Sequence, residues 1–163
     1  MAEEQTEVWT LNEDKTRRHF YIVFAVHGRE NLIKSEWKEE LYKYIAGIVK
    51  NHDQKMLAIG GVADHIHILL GIAPNVKLFD LVRDVKSNSS RFINEKKFVR
   101  GKFYWQEGFG AFSYSRSQID AVVKYIQNQE KHHASKSFKE EYEDFLQRFE
   151  VKYNEKYLFE FLD

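Results

Sequence analysis

Apolar positions along this chain change period several times, and each change marks an element. The run "RRHFYIVFAVHG" is dense in aromatic and β-branched residues and predicts a strand stopped by Gly28. Trp37, Leu41, Tyr44, Ile45 and Ile48 then recur at helical spacing, which predicts a helix over 36–50 with Ser35 as its N-cap. "KMLAIGGVADHIHILLGI" holds two short apolar runs around Gly60, Gly61 and Asp64, and predicts a hairpin with strands at 55–59 and 65–72. Leu78, Leu81, Val82, Val85 and Phe92 give one side of a second helix at 77–94, with Arg83 and Lys86 off that stripe. "VRGKFYWQEGFGAFSYS" is too glycine-rich for a helix and predicts a loop feeding a strand near 110–114. Ser117 and Asp120 resemble a capping box for a third helix at 118–131. "SFKEEYEDFLQRFE" predicts a fourth helix, and "YNEKYLFEFL" an extended aromatic tail. Residues 1–16 read as a loose arm, which leaves 17–163 as a single domain. Strand, helix, hairpin, helix, strand, helix, helix is the order of an α+β fold: a ferredoxin-like antiparallel sheet with helices packed on one face.

Composition narrows this picture. A chain of 163 residues, 43% hydrophobic and 15% aromatic, can bury one substantial core. Cysteine is absent, which excludes disulfides, thiolate metal ligands and cysteine nucleophiles. The start, "MAEEQTEVWTL", has no apolar core of a signal peptide, and no apolar run reaches the roughly 18 residues that span a bilayer. The expectation is a cytoplasmic protein with no membrane partner. The formal net charge is zero, which argues against bulk electrostatic wrapping of nucleic acid. The distribution is uneven: Lys77 to Lys102 carries eight basic and three acidic residues, Ser137 to Asp163 four basic and eight acidic. The basic stretch can contact phosphates, but from charge alone an ordinary solvated face is the simpler reading.

Within the second hairpin strand, His65 and His67 stand two apart, so their side chains share a face while Ile66, Ile68 and Leu70 point the other way. Two imidazoles on one face can bind a divalent metal, with Asp64 placed to orient a ring from behind. The competing reading is two packed or exposed histidines with no ligand. A third ligand would favour the metal reading. In "SQIDAVVKYIQNQEKHH" the apolar stripe is Ile119, Val122, Val123 and Ile126, and Tyr125 and Gln129 lie one above the other on its flank. Gln129 can offer an amide oxygen to a metal, and Tyr125 a nucleophilic hydroxyl. By periodicity alone the better reading is a packed aromatic with its hydroxyl at the rim and a surface amide.

The blocks "VADHIHILLGI", "KSNSSRFIN", "WQEGFGAFSYSRSQ" and "VVKYIQNQEKHH", in this order and at this chain length, resemble the single-tyrosine transposases of small bacterial insertion sequences, members of the HUH nuclease superfamily. The resemblance runs from about Arg18 to Leu158. It implies a homodimer that cuts and rejoins single-stranded DNA at element ends flanked by hairpins, through a 5′-phosphotyrosine intermediate. It implies Tyr125 as nucleophile, and His65, His67 and Gln129 as catalytic ligands of Mg²⁺ or Mn²⁺, with active sites shared between subunits. Asp64 is then the residue behind the ligands. For DNA contact Arg83, Lys86 and Arg91 are candidates to hold phosphates, and Tyr104 and Trp105, with Phe103, either stack on bases or serve as core and loop anchors. His132, on the same side of the helix as Tyr125, can touch DNA or simply complement the helix dipole. The rivals are a non-catalytic single-stranded nucleic-acid binding module on a ferredoxin-like sheet, a small metal hydrolase, and a structural dimer with packed histidines.

Overall fold

A computed structural model describes residues 17–132, together with Glu140, Glu143 and Gln147, which are helical. The predicted arm, the remainder of the fourth helix and the tail lie outside the described residues. Among the described residues there are four strands: β1 (Arg18–Ala25), β2 (Lys55–Val62), β3 (His65–Ile72) and β4 (Gly110–Tyr114). Within residues 17–132 the α-helices that connect or follow them are α1 (Lys38–Asn51), α2 (Leu78–Lys96) and α3 (Ile119–His132). The strands form one antiparallel sheet in the order β2-β3-β1-β4, the split βαβ arrangement of ferredoxin-like folds.

The central strands explain why the sheet has two packed faces. β3 is buried at every position and β1 at nearly every one, so both read as near-continuous apolar runs. Register places Phe24 opposite Ile66 and Ile22 opposite Ile68, and these residues meet α1 and α2 in the main core. Leu41, Ile45 and Val49 from α1 and Leu81, Val82, Val85 and Ile93 from α2 complete that core. Each such side chain taken fully from water contributes roughly 1.5–3 kcal/mol before entropy is counted. Glu39 and Glu40 in the first turn of α1 and Lys50 in the last complement its dipole.

The third helix adds a second layer. Tyr21, Val23, Ala25, Ala58 and Leu69 project from the other face and pack with Val122 and Ile126 of α3 and with Tyr114. His65 and His67 lie on this face, opposite Ala25 and Val23.

Three local expectations are corrected. β2 runs through Gly60 and Gly61 to Val62, because both glycines pair with β3 and do not break the strand. Ser35 does not cap α1: the helix starts at Lys38, after a turn over 35–37, and its N-cap is Trp37, with no side-chain cap hydrogen bond. The capping box lies two residues before the expected Ser117: the Ser115 amide donates to Oε1 of Gln118 (3.2 Å) over a short 3-10 turn, Arg116–Gln118, that runs into α3. No helix among the described residues is long and apolar enough to cross a membrane.

Candidate active site

The histidine pair is fixed by the tip of the β2–β3 hairpin. Val62 pairs with His65, so Ala63 and Asp64 form the turn. Two backbone amides pin that turn from outside the hairpin: Val26 donates to the Asp64 carbonyl (2.8 Å) and Ile33 to the Ala63 carbonyl (2.9 Å). A Cβ on Gly61 would stand 2.4 Å from the His65 carbonyl oxygen, so only glycine permits this close hairpin.

His65 and His67 are 0% and 1% exposed, and their ring centroids are 4.8 Å apart. His65 Nδ1 lies 2.6 Å from Asp64 Oδ1. With the proton on Nδ1 donated to that carboxylate, Nε2 carries the lone pair available to a ligand. The His67 ring rests against Tyr21, with centroids 5.2 Å apart.

The α3 helix packs on β2 at Gly60, which sits opposite His67 in the ladder. A Cβ there would be 2.8 Å from the Ile126 carbonyl oxygen and 3.0 Å from its Cγ2, closer than packed atoms tolerate. The glycine therefore lets the helix backbone settle directly onto β2. Tyr125, next to Ile126, is partly buried against the cluster that includes Tyr21 and Tyr114. Burial, and secondarily the neighbouring Tyr125, push the Tyr114 phenol well above its ordinary range. Gln129 lies one helical turn beyond Tyr125 in α3. The side chains of Gln129 and His132 lie outside the described residues.

The donor set suits one divalent ion. Two neutral imidazoles stand side by side on a strand, one of them oriented by a carboxylate. Among the described residues no group of three His, Asp or Glu side chains forms a ready cage.

The residues expected to touch DNA sit apart from this face, on α2 and the segment after it. Lys86 Nζ donates to the carbonyls of Gln106 and Gly108, both at 2.8 Å, and lies 5.9 Å from the Phe24 ring centre. Burial lowers its pKa, with Glu107 acting in the opposite direction. Trp105 is inside the main core, edge-on to Phe24 and Phe103, with Nε1 donating to Ser89 Oγ (2.9 Å). Phe103 is fully buried. Arg83 is exposed between Asp80 (3.6 Å) and Asp84 (3.9 Å), and Arg91 donates to Asn88. Tyr104 is 52% exposed, with Lys102 Nζ 5.0 Å from its ring centre. Arg91, Lys102 and Tyr104 line an open groove of about 500 Å³.

Sequence reasoning missed Gly60, Tyr21 and Tyr114. Their importance comes from register and from the seating of α3, and the one local signal was a glycine pair next to an alternating strand.

Comparison with known proteins bears on this geometry. A family model described as "Transposase IS200 like" matches residues 14–129. The ISDra2 transposase TnpA of Deinococcus radiodurans is 21% identical over 115 residues, covering 68% of this chain and 82% of that protein. Among solved structures, a protein of Deinococcus radiodurans R1 described as a transposase superimposes with a TM-score of 0.57 at 20% identity, over 69% of this chain and 91% of that one. A REP-associated tyrosine transposase bound to a REP hairpin gives a TM-score of 0.58 at 13% identity, over 72% of this chain and 68% of that one.

Proposed function

Because the chain belongs to the IS200-like transposase family, we propose that it is a metal-dependent transposase that cleaves and rejoins single-stranded DNA through a 5′-phosphotyrosine intermediate. The observation that carries this reading is the seating of α3, which brings the Tyr125 helix over the sheet face that holds His65 and His67.

The chemistry follows from the residue types. Tyr125 attacks the scissile phosphorus, and the 3′-oxygen leaves as a hydroxyl. A phenol of ordinary pKa about 10 is a weak nucleophile at neutral pH, so its proton must go to a base or to water as the bond forms. His65, His67 and Gln129 would hold Mg²⁺ or Mn²⁺, which when bound neutralises charge on the phosphate and orients it. Asp64 keeps the His65 ring in one tautomer. The tyrosyl ester conserves the energy of the broken bond, and a second 3′-hydroxyl that attacks it rejoins the strand without ATP.

The partner is single-stranded DNA carrying a hairpin, and the REP-associated relative bound to a REP hairpin supports this. Arg91, Lys102 and Tyr104 offer cations and an exposed ring for that DNA. The proposed working state is a homodimer in which the partner's tyrosine helix takes the seat that α3 holds here on its own sheet, so that the histidines of one protomer meet the tyrosine of the other. A second reading, a non-catalytic single-strand binding module, draws on the same exposed Tyr104 beside Lys102. It predicts binding without strand cleavage.

The test is incubation of the protein with labelled hairpin-bearing single-stranded DNA from the flanks of its gene, with and without Mg²⁺ or Mn²⁺. A denaturation-resistant protein–DNA adduct is expected, absent from Tyr125→Phe and from the His65→Ala, His67→Ala double variant. An adduct that survives Tyr125→Phe removes that residue from its role, and binding with no cleavage favours the second reading.

A further inference from the structure

β1 turns two phenylalanines to one face of the sheet and a tyrosine to the other. Phe20 and Phe24 go with the main core, while Tyr21, fully buried, stands on the face that holds His65 and His67. Register puts Val23 opposite His67 and Tyr21 opposite Leu69, so Tyr21 is the diagonal neighbour of His67 on that face. Diagonal neighbours on adjacent strands stand about 7–8 Å apart, within reach of an aromatic ring. The two rings do meet: their centroids are 5.2 Å apart and their planes are inclined by 46°. On its other side His67 has the His65 ring, at 4.8 Å and 71°.

The rings therefore form a row along the face, with His67 in the middle. One end is fixed by the Asp64 carboxylate, 2.6 Å from His65 Nδ1. The other end is Tyr21, braced in turn by the Tyr114 ring, edge-on at 6.4 Å. Rotation of an imidazole about its Cβ–Cγ bond is soft, and a ring that turns carries its lone pair away from an ion. His65 is held by a hydrogen bond to a carboxylate. His67 is bracketed by rings, and a flat, stiff neighbour restricts it where a flexible aliphatic chain would yield. Tyr21, Tyr114 and both histidines belong to strands of one sheet, so the bracket is complete within one protomer, whichever chain's tyrosine helix covers it.

We propose that Tyr21 is a positioning residue for the metal site: its ring holds His67 in the orientation that lets it share one divalent ion with His65. The proposal rests on the metal-dependent reading above. Tyr21 acts through His67, and it is the ring and not the hydroxyl that does the holding.

The experiment is a Co²⁺ titration of the full-length protein without DNA, followed by visible absorption. Co²⁺ binds nitrogen ligands more tightly than Mn²⁺, and the position and strength of its bands report the ligand geometry. Wild type should show saturable bands that the His65→Ala, His67→Ala double variant lacks. Absence of those bands in wild type overturns the metal reading, and this proposal with it. With the bands present, Tyr21→Leu should shift them and weaken Co²⁺ binding by about 10–100-fold, the range for loss of a residue that orients a ligand. Tyr21→Phe keeps the ring and should match wild type in both. Leu41→Ala, a cavity in the main core across the sheet, should lower the thermal midpoint and leave affinity and bands unchanged. Tyr21→Met, which fills the space without a ring, replaces the leucine variant if that one does not fold. Wild-type affinity and bands in a folded Tyr21→Leu or Tyr21→Met overturn the proposal alone, as does a loss in Tyr21→Phe equal to that in Tyr21→Leu. An equal loss of affinity in Leu41→Ala also overturns it, since affinity then follows stability.

Discussion

At the scale of single residues, Gly60 is the position on which the candidate site turns. Its missing Cβ is the space into which the Ile126 carbonyl fits. Gly60→Ala should destabilise by about 1–3 kcal/mol through overpacking, and slow adduct formation by about 10²-fold if α3 shifts by about 1 Å. Gly47→Ala, in α1 with nothing within 4 Å of its added Cβ, is the matched control and should stabilise by about 0.5–1 kcal/mol. Denaturant midpoints and a gel assay of the adduct separate the two. Tyr42 poses a different residue-scale question. Its hydroxyl is buried with no hydrogen-bond partner among the described residues, and burial, followed by Glu39, raises its pKa. The unfolded chain therefore releases this proton first, near pH about 10, so folding stability is complete below that pH and falls as pH rises above it. Tyr42→Phe should change stability at neutral pH by less than about 1 kcal/mol and flatten the alkaline loss, read from urea midpoints across that range.

At the scale of elements, the loop between α2 and β4 is held by side chains of α2. Asn94 grips Phe103 at both backbone groups, accepting from its amide (2.7 Å) and donating to its carbonyl (3.0 Å). Lys86 holds the carbonyls of Gln106 and Gly108, and Ser89 accepts from Trp105. Ser89→Ala leaves the Trp105 Nε1–H buried without its acceptor and should cost about 1–3 kcal/mol, seen as a lower thermal midpoint. Lys86 read from the sequence as a DNA contact, and Trp105 as either a base-stacking or a loop-anchoring residue, because a cation off an apolar stripe and an aromatic in a glycine-rich segment carry no mark of which neighbour they will meet. The contact that claims each of them comes from about 16–22 residues away. Elements with long apolar periods were legible at once, and the helices at 77–94 and 118–131 came within two residues of α2 and α3 at either end. The strand end at Gly60 and the cap at Ser115 were not, since each depends on a pairing partner that local pattern does not reveal.

At the scale of the whole molecule, the sheet separates two tasks. One face carries the main core with α1 and α2, and the other carries the histidine pair and the tyrosine helix. The proposed division of active sites between protomers belongs to this scale. A mixture of the His65→Ala, His67→Ala protein with Tyr125→Phe should recover adduct formation and strand cleavage, because one of the two composite sites in a mixed dimer then holds intact histidines and an intact tyrosine. No recovery in a mixture shown to form mixed dimers would confine each site to one chain.

Sequence alone determined the ferredoxin-like order of elements and the shared face of His65 and His67, because both follow from side-chain period, which is a property of neighbouring residues. It also singled out Tyr125 and Gln129 as a pair on one flank of a helix. Only the tertiary structure decided which sheet face that helix covers and that Gly60 admits it. Those outcomes depend on strand register and helix seating, which are set by contacts between residues distant in the chain and leave no local periodic trace.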